Sequence, residues 1–201
     1  MAKKILSRRR FIGAGAAGTL GALLAPQAVF ADDEEVELLR WDLVAIAQGV
    51  ALSGGQDIAS NASGDVVTLT GSGEAAPKRE TATGGGTFVH KRAGSEVAHG
   101  VYTVTGFQSF KAAGGSLAPT GLIDGIGTIK QTIGGVLMMH VKAVASNGRT
   151  LSGVLGVHCA LPGVEFHIEE GVTLSIPGVN LNATQAGGVT LFHVLQGEHR
   201  D

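Results

Sequence analysis

Seven histidines (His90, His99, His140, His158, His167, His193 and His199) and one run of alternating carboxylates are the residues of this chain whose chemistry could go beyond folding. In Glu165-Phe166-His167-Ile168-Glu169, a strand period of two sends Phe166 and Ile168 to one face. Glu165, His167 and Glu169 then share the other, ~6.6 to 7 Å apart along it. Groups at i and i+2 can share one ion where a strand curves, and a carboxylate beside an imidazole can move a proton. Glu165, His167 and Glu169 are thus candidate metal ligands. Glu165 and His167, with His140 from a second segment, are candidate catalytic groups. An ordinary solvated face accounts for the same pattern, and the choice turns on whether that face lines a lumen.

The motifs that would name a chemistry are missing from the sequence. No histidine belongs to H-E-x-x-H, and none pairs with a cysteine at zinc-finger spacing. His158 and Cys159 are neighbours on an extended segment and point to opposite faces. Cys159, the only cysteine, sits in an apolar run and reads as a small buried hydrophobe; one thiol also leaves the monomer without an internal disulfide. Gly84-Gly85-Gly86-Thr87 lacks the Lys-Ser or Lys-Thr of a phosphate loop and reads as close backbone packing at the start of a strand. There is no G-x-S-x-G elbow, and Ser109 and Ser152 have no base or acid at a recognisable spacing. No cofactor is named by these residues, and none is expected.

The elements that must position these groups are short strands broken by glycine. Extended segments are predicted over 41–52, 65–70, 86–91, 99–110, 126–133, 136–145, 151–160, 164–176 and 188–195, with a loop from 112 to about 120. Ser146-Asn147-Gly148-Arg149 supplies the positive-φ residues of a tight reversal between 136–145 and 151–160. Across that hairpin, Met138, His140 and Lys142 share one face and Met139, Val141 and Ala143 the other. Leu161-Pro162-Gly163 reads as a second turn, leading into 164–169. Phe88, Tyr102, Phe107, Phe110, Phe166 and Phe192 are expected as the large members of an otherwise aliphatic core. Gaps between strands are too short for helical crossovers, so the predicted fold is all-β, an antiparallel β-barrel or β-sandwich, glycine-rich.

The first 31 residues stand apart. Lys3, Lys4 and Arg8 to Arg10 precede an apolar stretch from Phe11 to Leu24, and Val29-Phe30-Ala31 offers a small-residue cleavage site. Ser7-Arg8-Arg9-Arg10-Phe11-Ile12 resembles the S-R-R-x-F-L pattern of twin-arginine signal peptides. That resemblance implies export by the twin-arginine machinery, removal by signal peptidase, and a periplasmic or extracellular address. The expected organisation is a signal peptide over 1–31, an acidic flexible segment over 32–40 and one β domain over 41–201. The apolar stretch carries four glycines and ends at Pro26, short of the ~20 strongly apolar residues of a bilayer span, so the mature form is not expected to cross a membrane.

Cleavage would remove five of fifteen Lys and Arg and none of seventeen Asp and Glu, moving the formal charge from -2 to -7. A surface of that sign repels phosphate backbones, and no nucleic-acid partner is expected. Through TGGGTF, GVYTVTGF and GVLGVHCALPG the chain resembles small exported bacterial β proteins of unassigned activity. The expected function is a binding or structural module for an apolar ligand or a protein partner, with self-association open to it. The alternative is a small barrel isomerase or cyclase acting on an apolar substrate through Glu165, His167 or His140.

Overall fold

The computed structural model of the chain describes residues 36–185 and 188–197. The twin-arginine segment and Asp32 to Glu35 lie outside the described residues. Among the described residues, fourteen strands form one sheet. Six of them close a barrel: β1 (Val36–Ala47), β5 (Ser72–Ala76), β6 (Thr81–Arg92), β7 (Ser95–Gly114), β9 (Thr132–Ala145) and β14 (Val189–Gly197). Each pairs antiparallel with the next in that order, and β14 returns to β1. Of the all-β antiparallel barrel or sandwich expected from the glycine-broken alternation, a closed six-stranded barrel with further strands attached is the fold observed.

One cross-strand row shows how the barrel is filled. Ile133, Phe192, Trp41, Gly73 and Gly84 are successive partners across β9, β14, β1, β5 and β6. Trp41 and Phe192 are fully buried. Their bulk fits because β5 and β6 answer with glycine. A Cβ at Gly73 would lie 2.8 Å from Trp41 Nε1, and one at Gly84 would lie 2.8 Å from Trp41 Cζ2. Gly84 also has φ +125°, a conformation that L side chains rarely adopt. The indole N–H donates to Thr83 O at 3.3 Å, so the buried ring keeps its polar contact. Burying each such side chain stabilises the fold by roughly 1.5–3 kcal/mol.

The other strands extend the wall past the closed ring. At Gly71 the length of chain that pairs with β6 is divided into β4 (Asp65–Thr70) and β5. Beyond that point β4 takes over the β6 edge, and β3 (Gln56–Ser60) takes the place of β1. On the other side, β9 exchanges β14 for β10 (Thr150–Cys159), followed by β11 (Gly171–Ile176) and β12 (Val179–Leu181). β13 (Ala183–Gln185) adds to the β3 edge. Thus β6, β7 and β9 run through a narrow six-stranded section and a wider one. β2 (Val50–Ser53) folds back on the end of β1 and pairs in parallel with β8 (Ile123–Asp124).

Several expected boundaries move. The strand expected over 41–52 starts at Val36 and reverses at Gln48-Gly49, both at positive φ, so 36–40, expected to be flexible, are ladder residues against β14 and β5. The strand expected over 126–133 begins only at Thr132, because Asp124 Oδ1 accepts the Ile126 and Gly127 N–H groups and curls the chain into a loop. The strand expected over 164–176 is confined to 171–176. Val164 makes a lone bridge to Gly114, and residues 165–170 join no ladder. The Asn147-Gly148 hairpin is present, and Met139 and Val141 face the core while His140 and Lys142 are exposed.

Candidate functional site

The wider section encloses a cavity of about 80 Å³. Its wall is the inward face of five consecutive strands and their neighbour β11. Val67 and Leu69 come from β4, Phe88 and His90 from β6, Ala98 and Tyr102 from β7. Val141, Ala143 and Ala145 come from β9, Leu151 and Leu155 from β10, and Leu174 and Ile176 from β11. The same period of two that fills the narrow section with Trp41 and Phe192 lines this one with smaller aliphatics. Val67, Leu69, Tyr102, Val141 and Leu155 are buried and form its inner end. Tyr102 turns its hydroxyl away as a donor to Thr70 O at 2.9 Å; burial pushes its pKa up and keeps it neutral.

Because the strands are antiparallel, four hairpin turns gather at the other end: 61–64, 93–94, 146–149 and 177–178. They form the mouth, and its inward-facing charges are few. Asp65 Oδ1 accepts from His90 Nε2 and Arg92 Nε, both at 2.8 Å. Those bonds, Arg92 first, hold the Asp65 carboxyl down at about 2, so it stays ionised and balances Arg92. Arg149 also lines the cavity. Among the described residues no carboxylate lies within ion-pair distance of it.

Two further polar groupings are built into the wall. In the first, Glu170 accepts from Ala160 N at 2.5 Å, Thr190 N at 2.6 Å and Thr190 Oγ1 at 2.9 Å, tying the start of β11 to β10 and β14. Burial raises its pKa against those bonds. Asp57, fully buried on β3, feels that charge. One of its oxygens accepts from Ile58 N at 2.6 Å and Oδ2 has no partner among the described residues. Burial first, with Glu170 adding to it, raises the Asp57 carboxyl to about 6. Cys159 lies fully buried beside this grouping, its thiol donating to Thr190 O at 3.4 Å and its pKa pushed up by burial.

The second grouping lies on the outward face of the barrel, under the loop that precedes β9. Arg40 donates from Nε and Nη2 to the two oxygens of buried Asp42, at 2.7 and 2.9 Å, and Ser53 Oγ donates to Asp42 Oδ1 at 2.6 Å. Next to Arg40 across the ladder, buried His193 places Nε2 2.8 Å from Asp124 Oδ2, while its Nδ1 has no partner among the described residues. Burial works to raise the Asp124 carboxyl, but the Gly127 N–H, His193 and the Ile126 N–H outweigh it and hold it below the ordinary value. This grouping locks the 118–131 loop onto β14.

The residues singled out from sequence lie elsewhere. Glu165, His167 and Glu169 are exposed on the 160–170 connection and Ile168 is buried, but Phe166, expected in the core, is only half-buried and lies beneath exposed Lys111, whose Nζ is 4.1 Å from the ring centre, because 165–170 run outside the ladder. His140 is exposed on the outward face of β9, opposite Val154 and Gly106. None of the four lines the cavity, and among the described residues no group of three or more His, Cys, Asp or Glu is arranged to hold a metal ion. Sequence reasoning passed over Asp57, Asp65, Asp124, Arg149 and Glu170. The one available signal is position: Glu170 follows the polar run 165–169, and Arg149 is the last residue of the Asn147-Gly148 turn.

No protein-family model matches the chain, and neither the curated proteins nor the solved structures contain a significant match.

Proposed function

We propose that this protein is an exported binding module whose widened barrel section takes up the apolar end of a small ligand. The observation that carries the reading is the 80 Å³ cavity, lined almost wholly by aliphatic and aromatic side chains and edged by hairpin turns. A hydrophobic lining around a few placed polar groups is the usual constitution of a small-molecule site. The volume is roughly half that of the ~150 Å³ apolar cavity that accepts benzene, so about three or four carbons fit inside and the rest of a ligand projects through the mouth. Export rests on the Ser7 to Ile12 pattern and the apolar stretch after it.

Methyl-resolved NMR of the full chain titrated with 1-hexanol tests this. At ~0.8 kcal/mol per buried methylene the affinity falls in the millimolar range. Shifts are expected to saturate and to centre on the Val67, Val141 and Leu155 methyls. Ala143→Phe, which fills the cavity, is expected to abolish them. Shifts that never saturate, or that survive in Ala143→Phe with native chemical-shift dispersion, refute the reading.

A further inference from the structure

We propose that the ligand is an aliphatic carboxylate whose acid group rests on Arg149 while its chain enters between Val141 and Leu155. This rests on the binding reading above and adds the chemistry of the head. Charge at the mouth is the reason. On the inward face, Asp65 is already matched by Arg92 and bonded to His90. Lys91 has the opposite parity to His90 and Arg92 on β6 and points outward. Glu96 is its cross-strand partner and takes His99 Nδ1 at 2.7 Å.

Arg149 is what remains. It follows Asn147-Gly148 at the start of β10, where its own N–H donates to Asn147 Oδ1 at 3.0 Å and fixes the turn. With the backbone held, an exposed guanidinium sits at the edge of an apolar wall with no carboxylate partner among the described residues. A planar guanidinium offers paired N–H donors to a carboxylate, and a ligand head supplies the charge that the protein does not. Among the described residues that line the cavity there is no carboxylate to receive an ammonium head, which would also meet Arg149 as a like charge.

The test compares hexanoate, 1-hexanol and hexylammonium on the full chain at about pH 7.5, with native protein and Arg149→Gln. For a solvent-exposed pair worth up to ~1 kcal/mol, hexanoate is expected to bind on the order of twofold to fivefold more tightly than the alcohol, and the ammonium more weakly than either. Arg149→Gln is expected to erase the carboxylate preference, read as the ratio of hexanoate to 1-hexanol affinity within the same variant. Arg149→Glu is expected to reverse the order of the two ions. The carboxylate preference should also shrink as salt is added. Equal binding of all three probes, or a carboxylate preference that persists in Arg149→Gln, overturns the head assignment and leaves apolar binding standing. Failure of all three probes to bind overturns both.

Discussion

Replacing Asp57 with asparagine should make the protein more stable at neutral pH, and the gain should fade in acid. Asp57 is fully buried, has one oxygen without a partner among the described residues, and faces the charge of Glu170; its carboxyl titrates at about 6 in the fold against 3.8 ordinarily. A raised folded-state value means the native protein binds this proton more tightly than the unfolded chain does. The associated stability is therefore complete below pH 3.8 and is lost as pH rises through 6. The distance between those two values corresponds to about 3 kcal/mol at pH 7.5, falling to about 0.5 kcal/mol near pH 4. The asparagine side chain would carry no charge at any pH, would keep an oxygen for the Ile58 N–H, and would turn an N–H toward Glu170. Urea unfolding of the native protein and Asp57→Asn, at half-unit steps from about pH 4 to 7.5, gives a difference from which groups that do not interact with Asp57 cancel, leaving the titration of Asp57 and of its neighbour Glu170. A difference that stays flat over that range refutes the argument, whatever its offset.

Gly84→Ala forces a Cβ against Ser72 O and the Trp41 ring at φ +125°, and should cost on the order of 3 kcal/mol, read as a lowered thermal midpoint. Asp124→Ala leaves buried His193 with no partner among the described residues on either nitrogen and frees two loop N–H groups; a loss of ~2–4 kcal/mol in urea unfolding is expected, with increased proteolysis between 118 and 131. Cys159, buried and held protonated, should resist a disulfide-exchange reagent in the native state at about pH 8 and react fully once the protein is unfolded.

Those residues also mark what the sequence could convey. The β9–β10 hairpin was legible because Asn147-Gly148 and the strict alternation around it are local signals, and Cys159 could be placed inward by counting along that strand. The packing role of Gly84 was legible, but its partner Trp41 was not, since they meet only when β5 and β6 close against β1. β3 and β5 escaped notice because Gln-Asp-Ile-Ala-Ser and Ser-Gly-Glu-Ala-Ala carry almost no apolar alternation; the barrel supplies their pairing. Hidden with β3 was Asp57. In the run Glu165 to Glu170, period two correctly turned Ile168 inward. The anchor is Glu170, and its role depends on the Ala160 and Thr190 N–H groups, which no spacing in sequence brings to it. Arg149 read as a turn residue, and it becomes a mouth residue only where four hairpins meet.

A crystal of the full chain under xenon pressure shows whether the widened section of the barrel is an accessible apolar cavity, since xenon enters dry apolar voids without needing any polar contact. An anomalous peak bounded by Val141, Leu155 and Leu174, absent in Ala143→Phe, is the predicted result. Xenon found only at other sites, or side chains collapsed into that space, would contradict it.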